Sequence, residues 1–315
     1  MRVLSSVRGG RRRRRFPVHP GVVPGLVCLL LVSCPGVPAA AETARTFANP
    51  LDVQWADPAA LCVEGTYYLT GTTYERYVSP DLVYWRRAGR YLDPAGTWLR
   101  GHPWAAELHE KDGRFFFVFC SPGEGTGRRR SICIFAADDP DESFEPVACP
   151  LWQDGYRWID PHIFADRDGT RYLFVTRDDI ADGGNSSIWA APLSGDLAAL
   201  AAPLTCCAEV SQPWEHKVQE GATVLRRGDV YYLMYSSHTF VSPLYSVGYA
   251  TAPHPLGPWT KAPENPVLVR TASVSGPGHN GVVRSPDGTE WWILYHTQID
   301  RGGGPVRQLA ADRLL

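Results

Sequence analysis

What this 315-residue chain lacks narrows its chemistry first: it has 2 methionines, few lysines, no C-x-x-C pair, and no G-x-S-x-G or G-x-x-x-x-G-K string. Without paired cysteine ligands a zinc site is not expected, and without the two glycine motifs neither a serine nucleophile elbow nor a nucleotide phosphate loop is expected. Long apolar runs are also missing. The longest, from Gly21 to Val32, falls short of the roughly 20 residues that a spanning helix needs. Basic charge is scarce outside the N-terminus. Seven of the 31 basic residues and none of the 33 acidic ones lie in the first 41 positions, so 24 basic residues face 33 acidic ones in the remainder, a net charge of −9. That balance argues against nucleic acid and anionic lipid as partners, because both are held by basic patches.

The first 41 residues read as an export signal: Arg11 to Arg15, the apolar run, and the small residues Pro38 to Ala41 follow in the order of such leaders. Two processing routes are open. Ala39-Ala40-Ala41 suits cleavage after Ala41, and Pro35 after Cys34 favours that route, whereas Leu31-Val32-Ser33-Cys34 has the form of a lipobox that would acylate Cys34. The expected product is therefore an exported protein, free or lipid-anchored, whose second region, 42–315, is one large domain. Six cysteines remain in it, Cys62, Cys120, Cys133, Cys149, Cys206 and Cys207. In an oxidising compartment some disulfides are expected, but six cysteines allow 15 pairings and the sequence does not choose among them.

What is abundant is aromatic residues, glycine and proline, with 11 Trp, 14 Tyr, 30 Gly and 27 Pro. That composition favours short strands joined by tight turns over long helices. A repeat organises them. Val63-Glu-Gly-Thr-Tyr-Tyr-Leu, Lys111-Asp-Gly-Arg-Phe-Phe-Phe, Arg167-Asp-Gly-Thr-Arg-Tyr-Leu, Arg227-Gly-Asp-Val-Tyr-Tyr-Leu and Pro286-Asp-Gly-Thr-Glu-Trp-Trp each read as a hairpin turn entering an aromatic strand. Their glycines, at 65, 113, 169, 228 and 288, are spaced by 48, 56, 59 and 60 residues, close to one four-stranded blade each. The reading is an all-β, five-bladed β-propeller, its last blade closed by the N-terminal segment near Phe47.

The repeat also aligns polar residues. Asp57, Glu107, Asp160, Glu220 and His279 precede their glycines by 8, 6, 9, 8 and 9 residues, near the beginning of each innermost strand. In a propeller those beginnings encircle the central channel at one pole. A lone acid in a β protein is usually a solvated turn residue, but recurrence in register gathers these into one funnel. Two carboxyl groups that share a pocket can divide acid and base work, and acetal hydrolysis requires that division.

On these motifs the chain resembles the family 43 glycoside hydrolases over nearly all of residues 48–314. The resemblance rests on Asn49-Pro50 with Ala56-Asp57-Pro58, Trp104-Ala-Ala-Glu107-Leu-His, Ile159-Asp160-Pro161-His162, Gln219-Glu220-Gly221, and Gly276-Pro-Gly-His279-Asn280 ahead of Trp292-Ile-Leu-Tyr-His296. It implies a five-bladed propeller and an inverting hydrolase in which Asp57 is the general base, Glu220 the general acid, and Asp160 the residue that orients the acid and raises its pKa. Inversion in turn implies carboxyl groups roughly 6.5–9.5 Å apart. His279 resembles an axial histidine that holds a hydrated calcium or sodium ion in the channel, the alternative being a packed core histidine; no organic cofactor is implied. Arg307 resembles a substrate-contacting arginine. Trp104 and Trp158, beside the site acids, are candidate sugar platforms, with Trp104 preferred, and Glu107 falls outside the triad and is assigned to structure.

The resemblance implies an oligo- or polysaccharide of the plant cell wall as substrate, with arabinose-containing polymers preferred and a β-xylosidase as the alternative. A non-catalytic sugar-binding propeller is the reading from another class. Degenerate members of that kind usually lose a carboxylate, and all three are present here.

Overall fold

A computed structural model describes residues 47–125 and 129–314. The leader, with the Ala41 and Cys34 alternatives, lies outside the described residues. Among those described, no helix is long and apolar enough to cross a membrane.

The five turn motifs do what their local chemistry dictates. In the second of them Asp112 and Gly113 both take positive φ, 54° and 77°, the backbone of the two-residue hairpin turn whose twist matches the strands it joins. Each turn links the two inner strands of one antiparallel sheet. The first blade is β1 (Ala59–Val63), β2 (Thr66–Gly71), β3 (Thr73–Ser79) and β4 (Arg86–Arg90); the second is β5 (Trp104–Lys111), β6 (Arg114–Pro122), β7 (Arg130–Ala137) and β8 (Glu145–Ala148). The third runs β9 (Trp158–Ala165), β10 (Arg171–Arg177), β11 (Ser187–Pro192) and β12 (Thr205–Glu209); the fourth runs β13 (Gln219–Arg227), β14 (Val230–Ser237), β15 (Ser246–Ala252) and β16 (Thr260–Lys261). The fifth has three strands of its own, β17 (Gly278–Arg284), β18 (Trp291–Gln298) and β19 (Arg307–Leu314). The protein is thus an all-β, five-bladed propeller.

The open edge of the fifth blade is covered from the other end of the chain. Leu51 N–H donates to Leu309 O at 2.8 Å, Leu309 N–H to Val53 O at 2.9 Å, and Trp55 N–H to Arg307 O at 3.1 Å. Asn49 adds a side-chain pair to Ala311, donating from Nδ2 and accepting at Oδ1, each at 3.0 Å. An unpaired edge would leave a row of buried donors and acceptors without partners, so this closure both completes the sheet and fixes Asp57 beside the final strand.

Large aromatic and aliphatic residues fill the wedges between blades. Tyr91 stacks on Phe117 at 4.7 Å between blades one and two, and Leu173 and Val175 of β10 pack with Ile132 and Ile134 of β7 between blades two and three. Cys133 of β7 forms a disulfide with Cys149, and Cys62, Cys120, Cys206 and Cys207 are free.

Candidate active site

Each inner strand begins with the same backbone irregularity. Asp57, Ala105, Asp160, Gly221 and His279 have φ of 56°, 45°, 54°, 63° and 49°, one left-handed residue per blade. In blades two to five the β-ladder slips at or beside that residue. A bulge re-aims the side chains next to it. Four of these residues are not glycine, so the strain of the left-handed region is maintained here by the surrounding structure, as happens at functional sites.

This register corrects the sequence alignment in blade two. Ala105, not Glu107, is the equivalent of Asp57 and Asp160; Glu107 lies two residues further along the channel, level with His162, Thr223 and Gly281, and lines a cavity separate from the carboxylates. There it is structural. Its Oε2 lies 2.8 Å from His162 Nδ1 and 3.0 Å from His109 Nε2. His162 Nε2 accepts the Val224 N–H at 3.0 Å, so Nδ1 carries the hydrogen that goes to Glu107. Burial alone would raise the Glu107 pKa, but the two histidines hold it down to about 2.

Asp57, Asp160, Glu220, Arg307, His279 and Trp104 line one cavity of about 380 Å³. Every predicted catalytic residue is in it. Glu220 precedes the left-handed Gly221 by one residue, and a Cβ at Gly221 would stand 3.1 Å from His279 Nδ1, so a small residue there lets the two blades approach.

Asp57 is held as a carboxylate. Oδ1 accepts from Arg307 Nη1 at 2.6 Å and lies 3.4 Å from His279 Nδ1, while Oδ2 accepts from the Thr72 hydroxyl. The Ala105 N–H donates to the same Thr72 oxygen at 3.1 Å, which turns the hydroxyl hydrogen towards Asp57. His296 Nδ1 is 3.2 Å from both the Asp57 backbone nitrogen and Oδ1. The N–H can only donate, so Nδ1 accepts from it and does not serve the carboxylate at the same time; burial keeps the ring neutral, its pKa down to about 4. Burial pushes the Asp57 pKa up, yet Arg307, followed by His279, outweighs it and holds the group well below the usual carboxylate range.

The other two acids shift the opposite way. Burial is the largest cause for both, raising Glu220 to about 7 and Asp160 well above its ordinary value. Like charge adds to it: the Glu220 carboxylate opposes ionisation of Asp160, and Asp57 and Asp178 oppose ionisation of both. Two buried carboxyls that repel one another titrate as a pair, and the pair retains a proton into the neutral range. Asp160 Oδ2 accepts the Gly221 N–H at 3.2 Å, and Tyr245 donates to Glu220 Oε1 at 2.7 Å.

Arg307 and Trp104 reach the cavity as the sequence suggested, Arg307 as the partner of Asp57 and with its guanidinium 4.7 Å from the Phe240 ring centroid. Trp104 is 37% exposed and has Arg130 laid over its ring. Trp158 does not reach it. It is 4% exposed, packs against Trp152 and Trp189, and donates from Nε1 to Asp154 at 2.9 Å. Position along the strand explains the difference: Trp104 stands one residue before the left-handed Ala105, as the pocket-lining Ile159 does before Asp160, whereas Trp158 stands two before it and faces the other way. Thr72, Asp178, Tyr245 and Phe240 were missed by sequence reasoning, as was a role for His296. Only His296 had a signal, at the end of a motif already noted; the others lie outside the repeat positions.

Comparison with known proteins adds to the geometry. The family model described as glycosyl hydrolases family 43 matches residues 47–314. The chain is 29% identical over 297 residues to alpha-L-arabinofuranosidase 43 of Humicola insolens, a match that covers 84% of this chain and 58% of that protein, so it spans less than two thirds of this relative's length. It is likewise 29% identical to the extracellular exo-alpha-(1->5)-L-arabinofuranosidase of Streptomyces chartreusis, covering 85% of this chain and 87% of the other. Among solved structures, a thermostable family-43 glycoside hydrolase superposes with a TM-score of 0.81 at 33% identity, covering 86% of this chain and 93% of that one.

Proposed function

Since the chain belongs to family 43 of the glycosyl hydrolases and is a glycoside hydrolase, we propose that it inverts the configuration of arabinose-containing plant cell-wall glycans as it cleaves them. One observation carries the assignment of roles: Asp57 and Glu220 share a cavity yet have pKa values displaced in opposite directions. Environments that separate two carboxyls in this way make one a base and the other an acid.

In the proposed reaction Glu220 enters protonated and gives its proton to the glycosidic oxygen as the bond to the anomeric carbon breaks. A water on the opposite face of the sugar forms the new bond to that carbon and gives up a proton to Asp57. The cycle leaves Glu220 ionised and Asp57 protonated, and proton exchange with solvent restores both. Arg307 and Thr72 fix the Asp57 oxygens, and Asp160, through its bond to the Gly221 N–H, holds the strand that carries Glu220. Trp104 and Phe240 supply apolar wall for the sugar face.

A hydrated calcium or sodium ion beside His279 belongs to the same proposal. Among the described residues no group of three or more His, Cys, Asp or Glu side chains can hold a metal ion. An ion beside His279 would therefore be held mainly through water. Such an ion would add positive charge to the channel. Export is proposed as well, on the leader-like sequence of residues 1–41 and on the word "extracellular" in the name of the Streptomyces relative.

Arabinose leads as the substrate sugar because both curated relatives described above are named arabinofuranosidases. Turnover of aryl α-L-arabinofuranoside and aryl β-D-xyloside, followed by arabinan and arabinoxylan, tests it. Release of arabinose is the expected result. Release of xylose alone would overturn the substrate assignment.

A further inference from the structure

The segment leading into β9 separates two cavities. Arg157 and Ile159 line the catalytic pocket, whereas Tyr156 and Trp158 line a second cavity of about 640 Å³. Alternation along an extended chain sends successive side chains to opposite faces, so the two spaces share this stretch as a wall. A second part of the wall comes from blade two: Trp104 lines the catalytic pocket, Arg129 and Ser131 line its neighbour, and the Arg130 guanidinium lies 3.2 Å from the Trp104 ring centroid. The lining segments follow β6 and precede β7 and β9, at the pole where the catalytic carboxylates stand.

The second cavity has a preorganised aromatic wall. Asp154 Oδ1 accepts from Trp158 Nε1 at 2.9 Å and from the Tyr156 backbone N–H at 3.1 Å, and Oδ2 accepts from Trp152 Nε1 at 3.3 Å. One carboxylate therefore fixes both indoles and the start of the segment. Tyr156 is 52% exposed, a large ring presented to solvent, and the Arg177 guanidinium sits 5.0 Å from its centroid. Ring faces suit the C–H faces of a sugar, and the side chains of Arg129, Gln153 and Glu124 along the same cavity suit its hydroxyls.

We propose that this cavity is a subsite for a further neutral sugar residue of the same glycan, flanking the residue held over Asp57 and Glu220. The inference rests on the chain being a glycoside hydrolase and does not depend on which sugar it cleaves. The shared wall points to the occupant: a glycan with one residue in the catalytic pocket has its neighbouring residues on the same pole, next to this second cavity. Trp158, expected from the sequence to stack on a sugar, instead forms the floor beneath Tyr156.

The test compares kcat/KM on an aryl monoglycoside with that on arabino- and xylo-oligosaccharides of two to five residues, for the wild type, Tyr156→Ala, Tyr156→Trp and Arg129→Ala. The wild type should gain with chain length. Tyr156→Ala should lower the ratio of oligosaccharide to aryl glycoside by about tenfold, the size of one aromatic contact, Arg129→Ala should lower it in the same direction, and Tyr156→Trp should restore most of the loss. A wild type indifferent to chain length, or a Tyr156→Ala that slows both substrate types equally, would overturn the subsite. An error in the sugar assignment shows separately, in which oligosaccharide series is cleaved. Because the readout is a ratio within one preparation, partial unfolding of a variant does not imitate the expected result, and thermal melting checks the fold.

Discussion

Tyr245 donates a 2.7 Å hydrogen bond to Glu220 Oε1 while its ring lies 5.5 Å from, and within 7° of parallel to, that of His296, which in turn accepts the Asp57 N–H. The acid and the base are thereby braced against one buried stack. Gly278 makes room for it, since a Cβ there would fall 2.1 Å from the Tyr245 ring. The bond occupies Oε1, which leaves Oε2 to carry the proton given to the substrate.

Tyr245→Phe should raise the Glu220 pKa further, because the tyrosine favours the ionised form and burial opposes it. The groups that act on Glu220 beside it are Asp57, Asp178 and Arg307, all retained in the variant. The alkaline limb of the pH profile should move to higher pH and kcat should fall by about tenfold as the carboxyl loses its fixed rotamer. An unmoved limb with unchanged kcat would deny Tyr245 this role.

The wild-type profile of kcat/KM follows from the two displaced carboxyls. Activity should fall as pH rises through about 7, where Glu220 loses its proton. On the acid side it should persist below the usual carboxylate range, because Asp57 stays ionised until its depressed pKa is reached. An acid limb near neutral pH would contradict the assignment of Asp57.

Glu220→Gln should fold normally and slow hydrolysis of natural glycosides by about 10²–10⁴-fold, the usual contribution of acid catalysis. Aryl substrates with good leaving groups need less protonation and should lose less. Equal losses across leaving groups would remove Glu220 from the acid role.

Much of this was legible in the sequence because it is local. Turn residues such as Asp112 and Gly113 announce their hairpins, and five hairpins at blade spacing give the architecture. Asp57, Asp160 and Glu220 stand near strand beginnings, where counting back from a turn finds them. Counting fails across a bulge. It placed Glu107 in the carboxylate ring where the backbone puts Ala105, and Trp158 in the pocket that its neighbours Arg157 and Ile159 line. Thr72 and Tyr245 were out of reach for another reason: each meets its carboxylate only when separate segments converge, and nothing in their local sequence marks them.

His279→Ala should lower activity and thermal stability together if an ion sits beside the imidazole, since a ligand bound only by the folded state stabilises it by mass action. A chelator should reproduce part of the effect on the wild type. Absence of metal by elemental analysis together with indifference to chelators would refute the ion.

The direct test of the catalytic mechanism is the anomeric configuration of the first-formed sugar, followed by proton NMR before mutarotation. With Asp57 activating water instead of attacking the sugar, the product should appear as the anomer opposite to the substrate. Retained configuration, or a glycosyl adduct trapped on Asp57, would contradict the account even if hydrolysis itself were confirmed.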